Sequence, residues 1–140
     1  MLLNMSKLDE SVLDGCHGAL PPQAILGLEL FNRGEYFEAH EALEAAWRAE
    51  QAPIRDLYRG ILQAAVVYLH IRRRNYPGAI KVYLRCRKYL DRWGDSCRGV
   101  QVGRLRTDLE AAIRQVEALG ETRLAEFDPA AFKPVEYARD

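Results

Sequence analysis

His40, Glu41 and Glu44 stand together in the run His40-Glu41-Ala42-Leu43-Glu44, with the large apolar residues Phe37, Leu43 and Trp47 around them. In a helix, His40 and Glu44 at i, i+4 lie on one face. An imidazole and a carboxylate one turn apart can both reach a single divalent ion, and His70 or Glu41 would complete the shell. His40, Glu44 and His70 are therefore candidate metal ligands, and the cofactor they imply is a divalent metal. The chemistry would be hydrolysis, with the metal as Lewis acid and Glu41 as the catalytic base. Against this, H-E-x-x-E lacks the second histidine of the H-E-x-x-H metalloprotease pattern. Without a metal, a carboxylate held in apolar surroundings could exchange protons with His40. No nucleophile and no phosphate loop accompanies the pair.

A second row of polar residues matches the first. Arg59, Gln63, Val66 and His70 follow one another at spacings of four, three and four in a segment that is otherwise apolar. Buried polar groups need partners. The simplest arrangement sets the two rows against each other, with Glu44 or Glu41 meeting Arg59 or a histidine and Gln63 bridging. The expected cluster is His40, Glu41, Glu44, Trp47, Arg59, Gln63 and His70. A network of this kind locks two helices in one register. It takes precedence over the metal and acid–base readings, and it makes the chain a binding or interaction module before an enzyme.

Charge gives a third candidate. Residues 72–106 hold eleven Lys/Arg and only Asp91 and Asp95 as acids, whereas residues 1–71 hold five basic and ten acidic residues. Lys81, Arg85, Lys88 and Arg92 recur at i, i+4, i+7 and i+11, a stripe that could bind phosphate or nucleic acid. Otherwise it is a solvated face balanced by the acidic segments. Tyr83 and Trp93 fall on the opposite, apolar side, which speaks against a single-strand stacking surface built from them.

The elements that must carry these residues are helices. Apolar residues recur at helical spacing over about 22–33, 35–50, 54–74, 77–93 and 101–119, and no segment alternates as a half-buried strand would. The third segment is apolar nearly all round, so it is the central helix. Gly34, Pro53, Asn75-Tyr76-Pro77 and Gly120 punctuate the series. The expected fold is all-α: one compact bundle of about five helices with TPR-like antiparallel hairpins over 21–120. Residues 1–20 read as a loose arm. Residues 121–140 read as an extended tail pinned on the bundle by Phe127, Phe132 and Tyr137. An echo supports paired hairpins, since Arg33-Gly-Glu-Tyr-Phe-Glu-Ala39 resembles Arg73-Arg-Asn-Tyr-Pro-Gly-Ala79 at a spacing of 40.

A chain of 140 residues fits one domain with one core. Cys16, Cys86 and Cys97 are an odd set without C-x-x-C spacing, and they read as reduced thiols of a cytoplasmic protein. No apolar run is long enough to span a membrane. Apolar residues of the arm or tail leave a homo-oligomer open, and the partner is otherwise undetermined.

Several stretches together resemble a known family. They are Glu35–Trp47, EYFEAHEALEAAW; Tyr58–Ala65, YRGILQAA; Tyr68-Leu69-His70; and then Asn75 and Gly78-Ala79. The pattern E-Y-F-E-A-H-E-x-L-E-x-x-W followed by G-x-x-Q is similar to that of the DUF309 family, small all-helical bacterial and archaeal proteins, over roughly residues 24–93. The resemblance implies a compact helical bundle and places His40, Glu41, Glu44, Trp47, Gln63 and His70 within the family motif. It supplies no established catalytic residue. Arg59 stands where relatives often carry another residue.

Overall fold

A computed structural model describes residues 15–138. Most of the expected N-terminal arm, residues 1–14, lies outside the described residues. Five helices follow: α1 (Pro22–Asn32), α2 (Tyr36–Ala49), α3 (Arg55–Arg72), α4 (Tyr76–Leu90) and α5 (Val102–Leu119). Short 3₁₀ turns at Leu124–Glu126 and Pro129–Ala131 complete the chain. No strand is present among the described residues, only isolated bridges of Val100 to Cys97 and Tyr137. The fold is an all-α compact bundle.

Each helix starts and stops where its residues dictate. Pro22 opens α1 at a position where its missing N–H costs nothing. The Asn75 side chain caps α4 by accepting from the Gly78 N–H at 3.0 Å. Gly120, with φ 73°, closes α5. The sequence echo is also an echo of backbone geometry. After α1, Gly34 takes φ 78° and Glu35 N–H reaches back to Leu30 O. After α3, Arg74 takes φ 59° and Asn75 N–H reaches back to His70 O. The same reverse turn is thus built once with glycine and once with arginine, which bears the left-handed strain that glycine avoids.

The helices pack as antiparallel neighbours around α3. Leu57, Tyr58, Ile61, Ala64, Ala65, Val67 and Tyr68 are all buried. Trp47 lies against Arg55 and Arg59 at one end of the α2/α3 pair, and Tyr36 lies 5.4 Å from Tyr68 at the other, which sets their register. Gly60 lets α4 close onto α3, because a β-carbon there would lie 2.7 Å from Leu90 Cδ2. The buried Cys86 thiol donates to Gly60 O across the same junction.

The tail returns to the bundle through Phe132, which meets the Tyr68 ring edge-to-face at 5.2 Å and the tilted Phe127 ring at 5.0 Å. Asn32 exchanges two hydrogen bonds with the Val135 backbone. Burial drives the Tyr68 hydroxyl well above its usual pKa, keeping it neutral in this aromatic cluster.

The cysteine expectation is corrected. Cys16 and Cys97 form a disulfide across 81 residues, and Cys86 is the free thiol among the described residues. Spacing could not reveal this pair, because Arg98 brings its two ends together. Its backbone N–H donates to Cys16 O, and its guanidinium donates to Gly15 O, Ala19 O and the Tyr58 hydroxyl. The compartment inference drawn from three free thiols loses its footing. No helix among the described residues is long and apolar enough to cross a membrane.

Candidate functional site

The two polar rows do not meet as the sequence suggests. On α2, His40 Nε2 lies 3.6 Å from Glu44 Oε2, and Glu44 Oε1 accepts from Arg48 Nη2 at 2.8 Å. Both pairs are one turn apart on a single helix. The His40 and Glu44 side chains remain about a third exposed, and Glu41 is exposed. Glu44 therefore takes Arg48 as its partner and not Arg59, and Glu41 lacks the apolar enclosure a catalytic carboxylate would need.

Register explains why His70 stays apart. Trp47 level with Arg55–Arg59 and Tyr36 level with Tyr68 place His40 beside Ala64. His70 is six residues further along α3, about 9 Å along its axis. There it meets Asn75, whose Nδ2 lies 3.0 Å from His70 Nδ1. An amide N–H can only donate, so Nδ1 accepts and carries no proton. Burial lowers the His70 pKa, and the nearby Arg73 lowers it further. His40, Glu44 and His70 do not form a ligand set, and no group of three or more His, Cys, Asp or Glu able to hold a metal ion occurs among the described residues.

What joins α2 to α3 is an indole and two guanidiniums. The Arg55 and Arg59 guanidinium carbons lie 4.3 Å and 4.7 Å from the centre of the Trp47 ring, and Arg59 also lies 5.4 Å from Tyr89 on α4. Cation–π contact holds both cations in place. Neither has a carboxylate partner among the described residues. Buried polar atoms without hydrogen-bond partners gather on the same line: Trp47 Nε1, Arg55 Nε, Arg59 Nε and Gln63 Oε1. Native proteins leave few such atoms, so a concentration of them marks an incomplete interaction.

The Arg59–Gln63 part of this line forms one wall of a groove of about 500 Å³ between α3 and α4. Arg85, Lys88, Tyr89 and Arg92 line the other wall. Three of the four residues of the expected anion stripe thus border the groove; Lys81 is not among its lining residues. Four of the eight remaining cations of the basic segment are engaged elsewhere. Arg72 donates to Gly34 O, Arg98 clamps the 15–19 backbone, Arg104 pairs with Glu136, and Arg106 serves Leu90 O and Asp95. In the groove, Arg92 alone has a carboxylate partner among the described residues, Asp56 at 2.6 Å. A larger cavity of about 790 Å³ between α4 and α5 carries acids beside its bases, with Arg106 set against Asp91 and Asp95.

Of the residues named from sequence, Arg59, Gln63, Arg85, Lys88 and Arg92 line this groove, and Arg59 and Gln63 sit beside the α4 cations and not beside Glu41 and Glu44. Sequence reasoning missed Arg55 and Tyr89. The i, i+4, i+8 spacing of Arg55, Arg59 and Gln63 was the available signal. Tyr89 is adjacent to Lys88 in sequence but gains its place only from the packing of α4 on α3.

Residues 25–82 match the model of DUF309, a domain of unknown function. The matched segment holds most of α1, all of α2 and α3, and the first half of α4. It contains Arg59 and Gln63, while Arg85, Lys88, Tyr89 and Arg92 lie beyond its end. An uncharacterized protein from Aquifex aeolicus (strain VF5) is 27% identical over 84 residues, 59% of this chain. The match spans about a quarter of that relative's length, 25%.

Proposed function

We propose that this protein is a binding module that takes a phosphate-bearing anion in the groove between α3 and α4. The observation that supports it most directly is an imbalance: Arg59, Arg85, Lys88 and Arg92 surround one concavity, and Asp56 is the single carboxylate paired there among the described residues. Like charges gathered around one concave space repel one another, and an incoming anion relieves that repulsion. Arginine's planar fork suits phosphate oxygens in particular. The α2 row offers no comparable opening, because its charges are already matched along their own helix.

The test is a titration with inorganic polyphosphate at several salt concentrations. Affinity should fall steeply with salt. Reversing two groove cations, Arg85→Glu with Lys88→Glu, should lower affinity by roughly a hundredfold and reduce the salt slope by about two. Both side chains are exposed, so thermal stability should stay unchanged. Lys81→Glu, outside the groove lining, should have a smaller effect. A titration unaltered by the double reversal would refute this reading.

A further inference from the structure

Resting on that anion-binding reading, we infer that the ligand is a single strand of RNA, with Gln63 meeting a ribose hydroxyl. The groove has an unusual chemical mixture. Arg59, Arg85, Lys88 and Arg92 can only donate hydrogen bonds. Gln63, which is 9% exposed, adds a carboxamide whose Oε1 has no partner. That oxygen is enclosed at the groove wall, and a bare phosphate gives it nothing to accept from. A ligand carrying a hydrogen-bond donor beside its negative charge would satisfy it once the side chain turns toward the groove.

A ribose 2′-hydroxyl meets this requirement, since it sits next to the phosphate ester and both donates and accepts. Turning the amide over would present an N–H to the same hydroxyl, so the match holds in either orientation. DNA lacks the group.

Two further features favour a strand. Arg85, Lys88 and Arg92 run along α4 for about 10 Å, more than one phosphate occupies. The groove follows the α3/α4 seam, where one strand could lay successive phosphates along the row of cations. Tyr89 is partly exposed at the wall; Arg59 covers one side of its ring at 5.4 Å, and a base would stack on the part of the ring left exposed.

The experiment uses the full chain, a labelled oligouridylate of about ten nucleotides, the deoxyuridylate of equal length, and inorganic polyphosphate as competitor. RNA should bind about tenfold tighter than DNA. Gln63→Leu should abolish that preference while leaving affinity for DNA and polyphosphate unchanged. Tyr89→Ala should weaken both nucleic acids several-fold and leave polyphosphate binding intact. Equal binding of RNA and DNA by the unmodified protein would overturn the ribose assignment while leaving the anion groove standing, and so would tighter binding of duplex RNA than of the single strand. If neither the strands nor polyphosphate bind, the groove reading itself fails. The RNA-to-DNA ratio of the unmodified protein decides the matter even if Gln63→Leu does not fold.

Discussion

The α2 row and the α3/α4 groove are built from the same kinds of residue and reach opposite outcomes. On α2, His40, Glu44 and Arg48 are partnered one turn apart, near solvent, within one helix. In the groove, Arg59, Arg85 and Lys88 come from two helices and have no carboxylate partner among the described residues, and Gln63 is buried beside them with an unpartnered oxygen. Local pairing satisfies charge as soon as the helix forms. Charges gathered by tertiary packing and left unmatched represent interaction still available to a ligand. A dense motif is therefore a weaker guide to function than an unmatched one.

The largest effect expected on stability lies outside both regions. Opening the Cys16–Cys97 bond with dithiothreitol frees a loop of 81 residues. In the chain-entropy picture such a loop contributes roughly 4–5 kcal/mol, so Tm should fall by on the order of 10 °C. Polyphosphate affinity below the new Tm should not change, because the groove is carried by α3 and α4. A groove that loses affinity on reduction would show that it depends on the tethered chain ends.

Gly60→Ala probes the groove's support. The added β-carbon would meet Leu90 at 2.7 Å and Tyr89 Cβ at 3.3 Å. Overpacking costs about 1–3 kcal/mol, against roughly 1 kcal/mol gained in helix propensity. Chemical denaturation should show a net loss near 1 kcal/mol, accompanied by weaker oligouridylate binding as Tyr89 shifts. An unchanged denaturation midpoint would mean that α4 moves freely on α3.

Smaller again is Glu44→Ala. A buried ion pair broken in this way would cost about 3–5 kcal/mol. A half-exposed pair within one helix is worth only a few tenths of a kcal/mol. Denaturation should return the small value, and a loss of several kcal/mol would restore the buried network that the α2 geometry replaces.

The mildest effect is a pH dependence at His70. Its folded pKa lies below the ordinary 6.5, mainly through burial. The folded state then binds fewer protons than the unfolded state in the window just below 6.5. The stability is fully present above that pH and is lost as pH falls through the folded pKa. Protonation also removes the acceptor for Asn75, the residue that caps α4. Tm should drop slightly from pH 7.5 to 5.5, and His70→Gln, which accepts without titrating, should flatten that drop. An identical pH profile in the variant would exclude His70 as its source.

Much of the fold was legible because apolar spacing is a local property. Leu57, Ile61, Ala64, Ala65 and Tyr68 announce a central buried helix before any contact is known. Pro22, Asn75 and Gly120 mark helix limits through backbone constraints they carry anywhere. Half of the candidate site was legible for the same reason, since Arg85, Lys88 and Arg92 share one face by periodicity alone. The partners of Arg59 and Gln63 were not. A row of polar residues states that partners are needed, not which helix supplies them, and both Glu44 and the α4 cations were eligible.

The chain's own order of residues set the five helices, their breaks, the repeated turn after α1 and α3, and the cationic side of α4. These follow from torsional preference and from periodic burial, which act over a few residues. Packing alone decided that Glu44 turns to Arg48, that His70 lies about 9 Å along the axis from the level of His40, that Cys16 meets Cys97, and that Tyr89 faces Arg59. Each of these depends on the register and closeness of helices distant in sequence. Gly60 and the antiparallel lie of α2, α3 and α4 fix that register through contacts no single segment contains.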